Sequence, residues 1–219
     1  MKINKEGYKI ITTSGIICLI LWSLIYYFQS HHSGIGLHIT SGVILVAFWF
    51  FIVAFFREPR RVKIHDSDLV FSPCDGRVVV TEVVYEDEYM KEEMLQISIF
   101  MSVTNIHMNW LPVSGVIDYY KYHPGKYLLA FLPKASELNE HSSMAIRNEH
   151  GEVFYKQLAG TFARRIICYA NPGNKEVKGE QCGIIRFGSR IDMYLPLDAE
   201  IKVKMGEHVR ACETVIAEL

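Results

Sequence analysis

The sequence predicts a mainly β domain carried behind a pair of transmembrane helices. Three observations predict it. Two long uncharged apolar runs lie near the N-terminus; short β-branched and aromatic segments punctuated by Gly, Pro and Asp-Gly follow; and no long amphipathic pattern appears after Arg57.

The first apolar run, Ile10 to Phe28, has only Thr12, Thr13, Ser14 and Ser23 as polar members. The second, Ile35 to Phe56, contains the aromatic cluster Phe48-Trp49-Phe50-Phe51. At about 1.5 Å per helical residue each is long enough for a ~30 Å hydrocarbon core. Only Gln29 to Gly34 separates them, so two antiparallel spans, 10–28 and 35–56, are expected within an anchor of residues 1–56. A signal peptide competes for the first run because Lys2, Lys5 and Lys9 form a positive leader. Its apolar core is too long for that, and a second span comes directly after. Lys2, Lys5 and Lys9 before the hairpin and Arg57, Arg60, Arg61 and Lys63 after it place both ends on the cytoplasmic side by the positive-inside rule. The basic flank would also draw anionic headgroups. His31, His32 and His38 lie near the turn without acidic or cysteine partners, which suits polar turn residues better than metal ligands.

The net charge of −1 argues against a general nucleic-acid binder, which needs a basic surface to displace phosphate counterions. The five cysteines, Cys18, Cys74, Cys168, Cys182 and Cys212, form no C-x-x-C pair and are odd in number. They fit reduced, buried thiols rather than a disulfide framework.

In residues 57–219 the segments fall in order. Val70 to Val80 holds Pro73 and Asp75-Gly76 as a turn before a β-branched strand. Glu86 to Glu93 is charged and reads as a solvated turn; Met94 to Val103 reads as a buried strand. His107 ends that apolar stretch, with Asn105 and Asn109 sharing its face at period two. Tyr119 to Tyr127 is a strand running into Pro124-Gly125. Arg164-Arg165 sits in an apolar stretch, and strand alternation sends only one of the two inward, where it could clamp an anion. Ile184 to Pro196 alternates Ile185, Phe187, Ile191 and Met193 with polar neighbours, as a half-buried strand would. Gly188-Ser189 interrupts it, suggesting a bulge or a close backbone approach. On residue chemistry alone, Asp75 reads better as the first half of an Asp-Gly turn, and His107 better as a satisfied core histidine. The Gly-centred beat through Gly76, Gly115, Gly179 and Gly206 resembles the barrel-sandwich of lipoyl and biotinyl domains.

Phe55-Phe56-Arg57-Glu58-Pro59, Pro73-Cys74-Asp75-Gly76, the histidine before Pro112, Lys134-Ala135-Ser136-Glu137-Leu138-Asn139-Glu140, the double arginine and Gly188-Ser189 together resemble the short form of the phosphatidylserine decarboxylase family. The resemblance covers nearly all of residues 55–219. It implies a proenzyme that cuts itself between Gly188 and Ser189 into a β-chain, 1–188, and an α-chain, 189–219, which stay together as a heterodimer. Ser189 would become a covalent pyruvoyl group, so neither pyridoxal phosphate nor a metal is expected. Ser189, His107 and Asp75 are the implied catalytic set. Phosphatidylserine would form a Schiff base with the pyruvoyl group and lose CO2 to give phosphatidylethanolamine, at the inner cell membrane with the catalytic domain facing the cytoplasm. Lys134, Asn139 and His141 are candidates for lining the headgroup site, with a weaker claim for His123, although both histidines read better as exposed turn residues.

The chemistry explains the residue types. Decarboxylating an amino acid leaves electrons at the α-carbon, and no side chain offers a sink for them. Glycine before the serine tolerates unusual backbone geometry and leaves its carbonyl unobstructed, and a histidine oriented by a carboxylate activates a serine hydroxyl. Two other classes compete. A membrane-tethered lipoyl-like carrier would use Lys134 but gives Gly188-Ser189 no task. A serine hydrolase is disfavoured because Phe187-Gly188-Ser189-Arg190-Ile191 lacks the second glycine of G-x-S-x-G.

Overall fold

The computed structural model describes residues 2–29, 35–61, 68–128, 138–160, 165–186 and 188–219. They form two compact units, Met1–Pro59 and Arg60–Leu219.

In the first unit a short strand β1 (Lys2–Ile3) precedes helix α1 (Tyr8–Gln29); helix α2 (Ile35–Phe55) then leads into β2 (Arg57–Glu58). The helices have 22 and 21 residues, about 30 Å each. Both are long and apolar enough to cross a membrane. Most of their large apolar side chains, Ile16, Leu19, Phe28, Val43, Ile44 and Phe50 among them, face outward, as a lipid-facing helix pair requires. Trp49 Nε1 donates to the Ile11 carbonyl at 3.0 Å, tying the helices together. His38 stacks on Trp22, with ring centroids 5.0 Å apart, which gives it a packing role. β1 pairs antiparallel with β2, and Lys2 Nζ meets Glu58 Oε1 at 2.9 Å. That pairing keeps Arg57 and Glu58 with the hairpin, and the first unit runs to Pro59.

The strands described in the second unit lie in three antiparallel sheets. Its strands are β3 (Leu69–Phe71), β4 (Gly76–Glu86), β5 (Glu92–Met101), β6 (Met108–Trp110), β7 (Gly115–His123), β8 (His141–Asn148) and β9 (Gly151–Ala159). β10 (Ile166–Cys168), β11 (Lys175–Glu176), β12 (Gln181–Ile185), β13 (Ser189–Leu195), β14 (Glu200–Ile201), β15 (His208–Val209) and β16 (Val215–Glu218) complete it. The main sheet runs β11-β7-β8-β9-β13-β5-β4-β15; β10-β12-β6 and β14-β16-β3 make the smaller sheets. The curled main sheet and the smaller ones form a barrel-like sandwich, as the glycine rhythm predicts. One buried cluster, including Val78, Ile97, Ile99, Met144, Ile146, Tyr155, Ile185, Ile191 and Met193, fills the interior. Burying each such side chain contributes about 1.5–3 kcal/mol.

β13 differs from its expected half-buried state: every residue in it is buried. It is a central strand, paired with β5 on one side and β9 on the other, so Ser189 lies between Met101 and Ala159. Alternation sends Ile191, Met193 and Leu195 into the core. Arg190 and Asp192 go to the opposite face, where they neutralise each other through two contacts, Nε to Oδ1 at 2.8 Å and Nη2 to Oδ2 at 2.9 Å. A buried pair of this kind is costly to break because one charge is left behind. Arg190→Ala is expected to destabilise the chain by about 3–5 kcal/mol, measurable as a lower thermal midpoint in detergent.

The β4–β5 turn also departs from its solvated reading. Glu86 is buried, and its carboxylate accepts the backbone N–H groups of Glu88, Tyr89 and Met90 together with Lys156 Nζ. Gly76 is required by a close approach as well as by the turn: a Cβ there would sit 2.4 Å from the Phe100 carbonyl oxygen of the neighbouring strand.

Candidate active site

Gly188 and Ser189 lie where the chain passes from one sheet to another. β12 belongs to a three-stranded sheet and β13 to the main sheet, and only residues 186–188 connect them. The corner is turned at Gly188, with φ +76°. A Cβ would find space there, its nearest neighbour being Val103 Cγ1 at 3.8 Å, so the demand for glycine is conformational rather than steric. Gly188→Ala is expected to cost about 1–2 kcal/mol, read as a lower unfolding midpoint of the uncut chain.

His107 is fully buried and held against this corner. Its carbonyl accepts from Ile185 N at 3.1 Å, which registers the His107 segment on the end of β12. Gly188 N–H donates to His107 Nε2 at 2.9 Å. Nε2 must therefore be the lone-pair nitrogen, and Nδ1 carries the proton that it donates to the Asn105 carbonyl at 3.0 Å. The group that orients the imidazole through Nδ1 is thus a main-chain oxygen, which residue types do not disclose.

The Gly188 carbonyl and the Ser189 hydroxyl have other partners. The Gly188 carbonyl accepts Gly160 N–H at 3.1 Å. Ser189 Oγ faces Met101 Sδ at 3.8 Å, and Asn109 Nδ2 reaches the same sulfur at 3.7 Å. Asn109 Oδ1 accepts from Gln157 Nε2 at 2.8 Å, and Gln157 Oε1 accepts from Ser142 Oγ at 2.8 Å. A buried polar chain therefore ends at the sulfur that the serine faces. A thioether is a weak acceptor, so the serine hydroxyl is steered without being tightly held. Met101, Gly160, Gln157 and Ser142 carry no sequence signal for this role; Asn109 does, through its period-two relation to His107.

Asp75 has charged and main-chain partners of its own. Its carboxylate accepts from Arg61 Nη2 at 2.6 and 2.7 Å and from Ala211 N–H at 2.9 Å. Arg61 also pairs with Glu213 and lies over the Trp110 ring. The structure brings His107 and the Gly188–Ser189 peptide together and seats Asp75 on Arg61, where it fastens the turn before β4 to the chain near the C-terminus.

Of the other candidates, Lys134, Arg164, His31 and His32 lie outside the described residues. Arg165 is exposed. Burial raises the Cys74 and Cys182 thiols well above their ordinary range, and Cys168 and Cys212 are pushed up to about 11. None is a thiolate near neutral pH.

His123 and His141 lie on the face of the main sheet that carries Arg190 and Asp192. With Glu88 they form a cluster whose ligand-type atoms lie within 4.8 Å of one another. The two rings stack nearly parallel at 13°, and Glu88 is engaged by His123, Lys156, Ser143 and Tyr119. Parallel rings do not aim their lone pairs at one point, so the arrangement suits a polar layer better than a metal centre. Burial holds His141 below the usual histidine value, whereas the unfolded chain takes up its proton near pH 6.5. The unfolded state then binds more protons, and stability falls as pH drops below about 6.5. His141→Phe is expected to flatten this part of the melting-temperature profile between pH 7 and 5.

The fold and this site define a class: a β domain behind an apolar helix hairpin, with a buried imidazole set on a Gly–Ser peptide at a sheet crossing. A family model described as phosphatidylserine decarboxylase matches residues 48–217. A phosphatidylserine decarboxylase proenzyme of Amoebophilus asiaticus is 44% identical, over 100% of this chain and 97% of its own. Those of Cytophaga hutchinsonii and Paraburkholderia xenovorans are 42% and 39% identical, over 100% and 99% of this chain and 99% and 97% of theirs. The chain belongs to the phosphatidylserine decarboxylase family.

Proposed function

We propose that this chain is a proenzyme that cuts itself between Gly188 and Ser189 and, once mature, converts phosphatidylserine to phosphatidylethanolamine and CO2. The observation that carries the proposal is the hydrogen bond from Gly188 N–H to His107 Nε2, which sets a base against the only Gly–Ser peptide in the sequence.

Cleavage begins when Ser189 Oγ attacks the Gly188 carbonyl carbon and gives up its proton to His107. The C–N bond breaks, the amine of residue 189 takes a proton, and an ester joins the Gly188 acyl group to Ser189 Oγ. His107 then removes the α-proton of residue 189, and the Gly188 carboxylate leaves from Cβ. The resulting dehydroalanine tautomerises and adds water, releasing ammonia and leaving a pyruvoyl group at position 189. The surroundings fit such a group: the position is buried, flanked by two strands, and faces the Met101 sulfur that the Asn109 amide also reaches. The pyruvoyl group supplies the electron sink that decarboxylation needs. His107 returns a proton to the carbon that loses CO2, and the surrounding apolar core excludes water. Asp75 acts as a positioning residue, fixing through Arg61 the turn next to Trp110.

The two apolar helices hold the site at the bilayer that contains its substrate, and their basic flanks put both ends in the cytoplasm. The two products of cleavage remain a heterodimer because 189–195 stays paired with strands of the longer chain. Intact mass of the protein purified from its membrane tests the reading. Two polypeptides divided after Gly188, the shorter one blocked to Edman sequencing, are expected. A single chain with unmodified Ser189 would overturn it.

A further inference from the structure

The structure assigns the main-chain N–H of Gly160 as the donor that stabilises the oxyanion formed at Gly188 during self-cleavage, and Asn139 as the side chain that positions it. This rests on the self-cleavage proposed above. Attack by Ser189 Oγ on the Gly188 carbon moves the carbonyl π electrons onto its oxygen, and that charge must be met before the C–N bond can break. Gly160 N–H already donates to this oxygen, at 3.1 Å. A donor in place beforehand needs no rearrangement when charge develops, and in a buried site its effect is large.

The same peptide unit is held from its other end. Asn139 Nδ2 donates to the Ala159 carbonyl, the oxygen across the peptide from Gly160 N–H, at 2.7 Å. A carbonyl that accepts a hydrogen bond makes its own N–H a better donor, because the two polarise each other through the peptide. Asn139 is itself locked: its Nδ2 also reaches the Leu128 carbonyl at 2.9 Å, and its Oδ1 accepts Leu128 N–H at 2.9 Å. The residue is 1% exposed, so these bonds are formed away from water. Ala159 is moreover the strand partner of Ser189, so the ladder between β9 and β13 and the Asn139 bond fix one geometry together. Asn139 thus acts through the backbone next to the cut, rather than by lining a headgroup site.

The test has two readouts. Pulse-chase of the full chain in membranes compares the rate of cleavage in wild type and Asn139→Ala. Loss of one such donor costs roughly 10²–10³-fold, and Asn139→Ala, which loosens the donor without deleting it, is expected to slow cleavage at least about tenfold by the same reasoning. The second readout uses the Ser189→Ala chain, which keeps the peptide uncut. Carbonyl-labelled glycine with nitrogen-labelled alanine selects Gly188 alone, because in that variant no other glycine is followed by an alanine. Its ¹³C resonance is expected to move upfield when Asn139→Ala is added. Unchanged cleavage overturns the assignment, and so does slow cleavage with an unmoved Gly188 resonance, which marks a purely structural role. Should Asn139→Ala fail to fold, Asn139→Asp, which keeps the oxygen facing Leu128 N–H, is read in the same two ways. No cleavage in wild type would instead remove the reading on which the inference rests.

Discussion

The Ser189→Ala chain is expected to remain one polypeptide of 219 residues and to show no decarboxylase activity. Alanine removes the oxygen proposed to attack Gly188, and with it every later step proposed to build a carbonyl at position 189. Little else changes. Ser189 contributes one weak contact to Met101 Sδ, and the strand pairs on either side are made by the main chain. The uncut protein should therefore melt close to the wild-type precursor, and loss of activity with retained folding identifies the hydroxyl as the agent. Ser189→Thr keeps the oxygen but adds a methyl between Met101 and Ala159, so cleavage should persist at a reduced rate. Denaturing gels of membranes over time read all three chains. Cleavage of Ser189→Ala would show that the proposed nucleophile is wrong.

Replacement of His107 has the next largest effect. General acid–base groups typically contribute about 10²–10⁴-fold, and His107→Ala should slow cleavage by that order while also leaving Gly188 N–H without its acceptor. His107→Gln separates these two losses. Its amide oxygen can accept the Gly188 N–H but cannot take a proton from Ser189, so cleavage should stay as slow as in the alanine variant while the melting temperature recovers. If His107→Gln cut itself at the wild-type rate, the imidazole would be a scaffold and not a base.

Much of the fold was legible in the residues. The uncharged runs 10–28 and 35–56 match α1 and α2 within a residue or two because a spanning helix must satisfy its own backbone and present apolar side chains all round. The Asp75-Gly76 and Pro124-Gly125 punctuation fell at strand boundaries because turns need those conformations. The candidate site was legible in part. Gly188-Ser189 was visible as an interruption, yet nothing in Ile184 to Pro196 tells a bulge in one strand from a crossing between two sheets. Gly160 and Asn105 enter through main-chain atoms, which every residue type possesses. Asn139 was visible only as a motif member, since its task depends on a peptide twenty positions away. Arg190-Asp192 reads as solvated polarity until both faces of β13 are known to be covered. Long-range pairing, in each of these cases, supplies what local pattern cannot.

The two-residue ribbon at the start of the chain has a consequence for topology. By joining Lys2–Ile3 to Arg57–Glu58 it brings the beginning and the end of the helix hairpin to one side, independently of how charge is distributed along the loops. Where both helices cross a bilayer, insertion in either sense leaves the two ends in the same compartment. A protease-sensitive tag placed before Lys2 therefore reports the compartment in which the β domain starts, without touching that domain.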